Sequence, residues 1–125
     1  TGSLPAGLQV FALLCCALGY ALFVWAVYSN AFFSQVVRIQ TERGHTVVAG
    51  GPYRFVRHPS YAGAILFEAA IPVLLASWPA LIPSVICAVL LVVRTKLEDR
   101  TLHVDLVGYA EYAQQVHYRL LPGVW

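Results

Sequence analysis

The feature that most limits what this chain can become is an uncharged, strongly apolar run from Leu8 to Tyr28. As a helix rising about 1.5 Å per residue it reaches roughly 30 Å, the thickness of a bilayer's hydrocarbon core. No basic region precedes it and no small-residue cleavage site follows it, which argues against a signal peptide and for a membrane-spanning helix. A second apolar stretch, Pro59 to Val93, is interrupted only by Glu68 and would be roughly 50 Å long as one helix, so it must fold back. The sequence Ser77-Trp78-Pro79 is the expected break, since proline disfavours helix in the residue before it and suits the first turn of the next. The expectation is a helical hairpin, with Pro72 kinking its first arm. Composition agrees: 59% of the residues are hydrophobic, 11% are charged and the mean hydropathy is +0.69, too apolar for an ordinary soluble domain.

The eight basic residues are Arg38, Arg43, Arg54, Arg57, Arg94, Lys96, Arg100 and Arg119. All lie between the first helix and the hairpin or after the hairpin. The positive-inside rule then puts the loop from Ser29 to His58 and the C-terminal segment on the cytoplasmic side. Further on, Leu102, Leu106, Tyr109, Ala113 and Val116 recur at helical spacing and predict a C-terminal amphipathic helix, on the membrane or capping the hairpin, with Gly108 as a possible interruption. The fold class expected is therefore all-α and integral to the membrane: one transmembrane helix, a transmembrane hairpin and an amphipathic helix. There is no internal repeat, so residues 1–125 read as one domain. Because the chain lacks methionine even at position 1, it is expected to be a C-terminal portion of a longer protein.

The three cysteines, Cys15, Cys16 and Cys87, lie in apolar helices without metal-site spacing, and no metal is expected. Polar chemistry gathers instead in two segments. In GHTVVAGGPYRFVRHPSYAG, Gly44 to Gly63, His58 precedes Pro59 at a helix start whose free N–H groups favour an anion. Arg57 and His58 would strengthen that site, and a ligand carboxylate would suit it. The competing reading makes Arg54, Arg57 and His58 interfacial anchors that meet lipid phosphates. In RTKLEDRTL, Arg94 to Leu102, Arg94 and Glu98 share a helix face and can pair with each other or with a ligand. Glu68, about two turns into the first arm, is left outside the site, with a structural partner as plausible as a functional one.

The strings GHTVV, GPYRFVRHPSYAG and RTKLEDRTL, with GYAEYAQQV and the ending YRLLPGVW, resemble the isoprenylcysteine carboxyl methyltransferase family and its bacterial relatives over about Asn30 to Trp125. The resemblance implies a helical membrane enzyme holding S-adenosylmethionine in a pocket at the cytosolic surface. Carried over by position, His45, Thr46, Val47, Val48, Tyr53, His58, Pro59, Ser60, Tyr61 and Glu98 would line the cofactor pocket, and Arg94 would face the methyl acceptor. The family's second glutamate after Glu98 is Asp99 here, which keeps the charge but shortens its reach.

The sulfonium cofactor carries an activated methyl group, so the protein's task is to align an acceptor and limit water access. A carboxylate acceptor, such as a prenylcysteine-like group, needs no general base but does need a cation, for which Arg94 is the candidate. Two other readings stay open from sequence. One is a phospholipid or lipid amine N-methyltransferase of the same fold, with His45 or Glu98 deprotonating the amine. The other is a non-catalytic membrane module that binds lipid headgroups or a partner through its basic face. A doubly wound soluble methyltransferase is disfavoured, because no glycine fingerprint follows a strand pattern. The partners expected are S-adenosylmethionine, a lipid-borne acceptor and membrane lipids, with no nucleic acid.

Overall fold

A computed structural model describes residues 3–34 and 36–125. The first helix, α1 (Ala6–Ser29), starts at Pro5, where a missing N–H costs no hydrogen bond, and ends where Asn30 turns extended. Its buried residues are Ala12, Cys16, Gly19 and Ala26, while Phe11, Leu14, Leu18, Tyr20 and Trp25 are exposed. Small side chains thus face inward and large apolar ones outward, the reverse of a helix packed in water. Among the described residues, α1 is the one helix long and apolar enough to cross a membrane.

Short 3₁₀ turns at Thr41–Arg43 and Gly51–Arg54 lead to α2 (Pro59–Leu74), with Pro59 in its first turn as the sequence predicts. Helices α1 and α2 run antiparallel and touch at their glycines. A Cβ added to Gly19 would lie 2.6 Å from the carbonyl oxygen of Gly63, and one added to Gly63 would lie 2.5 Å from that of Gly19. Only glycine at both positions lets the backbones meet. The same crossing is flanked by a hydrogen bond from Gln9 Nε2 to the Leu74 carbonyl, 3.3 Å, and by the packing of Ala12 and Cys16 against Ala70.

A turn of residues 75–80 reverses the chain into α3 (Leu81–Asp105), so the break falls where Trp78 and Pro79 place it. Pro72 stands in the last turn of α2 and, having no N–H, cannot bond the Glu68 carbonyl four residues back. Ser84 of α3 takes its place, its hydroxyl donating to that carbonyl at 2.6 Å. The missing helix bond of one arm becomes a bond between arms.

The C-terminal expectation needs correction. Rather than one amphipathic helix, α3 itself runs on to Asp105, the chain breaks over Leu106 to Gly108, and a short α4 (Tyr109–Gln115) follows. The run ends at Leu106, whose backbone turns extended, and Gly108 at φ +89°, a left-handed conformation that side chains with a Cβ rarely take, leads into α4. The apolar stripe nevertheless turns inward. Leu106, Tyr109 and Tyr112 join Ala26 and Tyr53 in one core cluster, with Leu102, Val47, Val48 and Val116 packed against it. The described residues form four α-helices and no strand.

Candidate functional site

The polar ends of α2 and α3, the loop from Asn30 to Val48 and α4 surround one cleft. Its floor is set by α2: Pro59 starts the helix, and Ser60 and Tyr61 in that first turn reach the cleft wall. From the loop come Phe32, whose ring stacks on His45 at 4.5 Å between centroids, and the backbone run His45 to Val48. Buried Gln40 ties this loop together: its Nε2 donates to the Phe32 carbonyl at 2.7 Å, its Oε1 accepts from Arg43, and its N–H donates to His45 Nδ1 at 3.0 Å. Burial lowers the pKa of His45 below its ordinary value, which suits a ring that accepts that N–H. Tyr53 is buried behind the cleft, its hydroxyl accepting from Asn30 and its carbonyl accepting from Tyr112 at 2.6 Å.

Across the cleft, α3 presents two acids with different surroundings. Glu98 faces the open space and accepts a short hydrogen bond from the Tyr61 hydroxyl. Tyr61 in turn accepts from Arg94 Nε at 2.8 Å, and the guanidinium lies 5.6 Å from the centre of the Tyr61 ring. Arg94 and Glu98, expected from their spacing to pair, both bond one tyrosine hydroxyl supplied by α2.

Asp99, 3% exposed, turns away from the cleft into a dense cluster. Its Oδ1 accepts from Arg57 Nε at 3.0 Å, His58 Nε2 at 2.9 Å and the Tyr109 hydroxyl at 2.8 Å. Its Oδ2 accepts from Arg57 Nη2 at 3.0 Å and Arg119 Nε at 3.2 Å. Burial alone would raise the carboxyl's pKa, but hydrogen bonds from His58 and Tyr109, with the charges around them, hold it well below the usual carboxylate range. Burial and the adjacent negative charge push the Tyr109 hydroxyl far up, so it remains a donor. Arg57 also donates to the Val116 and His117 carbonyls, and the Arg57 and His58 N–H groups donate to the Tyr118 and Arg119 carbonyls at 2.9 Å. The sequence reading of Arg57 and His58 as holders of a ligand carboxylate, or as anchors for lipid phosphate, is thus corrected: the anion they meet is the chain's own Asp99.

Of the residues carried over to the cofactor pocket, His45, Thr46, Val47, Val48, Tyr53, His58, Ser60, Tyr61 and Glu98 line this cleft. Pro59 does not line it; it is fully buried beneath and shapes the helix start. Arg94 stands outside the lining, one hydrogen bond away through Tyr61. Glu68 lies apart, on a small groove between α1 and α2 beside Gly19 and Gly63. Sequence reasoning missed the structural roles of Tyr109, Tyr112 and Arg119. The signal available for the tyrosines was their place on the inward stripe of the C-terminal segment; for Arg119 there was none.

Comparison with known proteins bears on the same stretch. Residues 11–104 match the model of the isoprenylcysteine carboxyl methyltransferase (ICMT) family. Two curated proteins named probable protein-S-isoprenylcysteine O-methyltransferase, from Oryza sativa subsp. indica and subsp. japonica, are each 30% identical over 98 residues. Those alignments cover 73% of this chain and 49% of the rice proteins, so the chain spans about half the length of the curated relatives it matches. The family match reaches back into α1 and stops within α3, leaving GYAEYAQQV and YRLLPGVW outside it. It nevertheless takes in the α1–α2 glycine crossing, the RHPSY turn and the acid pair of α3, and with them most of the residues that line the cleft. The chain belongs to the isoprenylcysteine carboxyl methyltransferase family.

Proposed function

We propose that this chain is the membrane-embedded catalytic part of an S-adenosylmethionine-dependent methyltransferase acting on a lipid-borne carboxylate, of the prenylcysteine kind, at the cytoplasmic surface. The observation that carries the reading is the joining of Arg94 and Glu98 through Tyr61 at the edge of the cleft. One side of that bridge suits a cofactor and the other a negatively charged acceptor.

The cleft's side chains fit S-adenosylmethionine by their chemistry. Phe32, Val47 and Val48 offer apolar surface to a purine, and Glu98 offers a carboxylate to ribose hydroxyls or an ammonium group. His58 adds a ring edge for the polar arm. The bound cofactor supplies an activated methyl on a sulfonium, so no residue need activate the donor. Arg94 holds the acceptor carboxylate with its guanidinium fork, and Tyr61 keeps that fork at a set distance from Glu98. A carboxylate is already ionised at neutral pH and needs no proton removed. The outward apolar faces of α1 and the first half of α3 leave this edge in contact with acyl chains, from which a lipid-borne acceptor arrives.

The test is methyl transfer from labelled S-adenosylmethionine in membranes carrying the protein, with prenylcysteine analogues, fatty acids and phospholipid amines offered in parallel. Base-labile methyl ester on a prenylcysteine analogue is the expected product. Label appearing only on phospholipid amines would overturn the carboxylate reading in favour of N-methylation, and no transfer with intact full-length protein would overturn the catalytic one.

A further inference from the structure

We propose that Asp99 is a positioning residue of the cofactor site, holding His58 by its Nε2–H so that Nδ1 faces the cleft as an acceptor for a ligand N–H. The proposal rests on the reading of the cleft as a cofactor site.

The geometry points to it in three steps. A carboxylate only accepts, so the His58 nitrogen 2.9 Å from Asp99 Oδ1 is the one that carries hydrogen. Two guanidinium groups, those of Arg57 and Arg119, already outnumber the single charge of Asp99, so a third buried positive charge would be repelled and His58 serves as a neutral donor. In a neutral imidazole the other nitrogen is then a bare acceptor. His58 is 4% exposed, and no described residue bonds to its Nδ1. Yet among the described residues no closed-off side-chain nitrogen or oxygen lacks a partner. The Nδ1 atom therefore meets open space, and the space that His58 lines is the cleft. An acceptor held there calls for a donor on the ligand; on S-adenosylmethionine the amino groups qualify.

The carboxylate divides its work. Oδ1 takes His58 and Tyr109, whereas Oδ2 takes Arg119, and Arg57 spans both. Loss of the Arg119 contact should loosen the C-terminal segment without turning the ring. Loss of the negative charge should instead move the ring's proton, because an asparagine amide can donate to Nε2 and shift that proton to Nδ1.

The experiment is nitrogen NMR of the full chain in detergent micelles with ¹⁵N-histidine, combined with calorimetric titration of S-adenosylhomocysteine. In the unaltered protein His58 should show a protonated Nε2 and a bare Nδ1, and the Nδ1 resonance should move on adding S-adenosylhomocysteine. Asp99→Asn should transfer the proton to Nδ1 and weaken S-adenosylhomocysteine binding roughly tenfold or more, the scale of one lost hydrogen bond to a charged group. Asp99→Glu should restore both. Arg119→Gln should lower the unfolding temperature but leave tautomer and affinity as they were. A proton on Nδ1 in the unaltered protein overturns the proposal even if Asp99→Asn fails to fold. So does a folded Asp99→Asn whose affinity stays within twofold. If the unaltered protein binds no S-adenosylhomocysteine while His58 keeps its proton on Nε2, the cofactor reading falls and Asp99's hold on the ring stands.

Discussion

Glu98 and Asp99 are adjacent in the chain, but a helix turns successive side chains by about 100°, and that rotation sends one to the cleft and the other to the interior. Their predicted behaviours differ accordingly. Removing one partner of a buried ion pair leaves the others uncompensated, so Asp99→Ala should cost about 3–5 kcal/mol of stability, measured by denaturant unfolding in detergent. Glu98→Ala, at the cleft edge, should cost far less stability and instead weaken S-adenosylmethionine binding by about 1–3 kcal/mol. The pH dependence follows from the depressed carboxyl of Asp99. A group whose pKa is lower folded than unfolded stabilises the fold above its unfolded value, about 3.9, and loses that contribution as pH falls toward the folded one. The stability gap between the unaltered protein and Asp99→Asn should therefore hold from pH 8 to 5 and shrink below about pH 4. A gap that instead grew on acidification would mean the carboxylate is not what the cluster stabilises. Arg94→Lys keeps the charge and loses the fork. It should bind S-adenosylmethionine nearly normally while turnover falls, and collapse of cofactor affinity in that variant would move Arg94 to the cofactor side.

Between helices, two contacts carry predictions that their residue types explain. Gly63→Ala places a methyl 2.5 Å from the Gly19 carbonyl oxygen and 2.8 Å from the Phe23 nitrogen, both backbone, so the helices must separate. A loss of about 1–3 kcal/mol is expected, against no loss for Gly7→Ala, where nothing lies within 4 Å. The second contact is the Ser84 hydroxyl on the Glu68 carbonyl. Ser84→Ala should cost about 1–3 kcal/mol by leaving that carbonyl bare, and much less in a Pro72→Ala background where the helix can supply its own N–H. Equal costs in both backgrounds would show that the proline and the serine are unrelated. The helices themselves were legible because apolar runs and X-Pro steps are local signals: the 8–28 run, the Pro59 start and the 77–79 break all fall within a residue or two of the observed bounds. The C-terminal helix was not, because a stripe at helical spacing persists across a break when both sides pack on one core. Gly108 held the only local clue.

At the scale of the whole molecule, the one-sided basic residues predict that Arg43, Arg54 and Arg100 lie on the cytoplasmic side of a membrane and Trp78, exposed in the α2–α3 turn, on the other. Single cysteines at 54 and 78, in a background without the native three, should react with an impermeant label from opposite sides; reaction from one side would exclude a spanning hairpin. The cleft's membership was legible from family motifs, which mark residues that share a pocket whatever their separation. The Asp99 cluster was not, since it joins Arg57 and His58 to Tyr109 and Arg119 across two helices and a break. No spacing rule reports such a meeting. The cluster also sets a timetable for synthesis. Arg57 and His58 leave the ribosome about forty residues ahead of Asp99, and Arg119 trails it by a further twenty. While the chain is half made, α1 and α2 can already lock at their glycines, but Arg57 and His58 still wait for their acid, with water as their partner. The pocket closes only when the returning arm delivers its acid and the tail arrives to cover it, so an interrupted chain can be well anchored and still be mute.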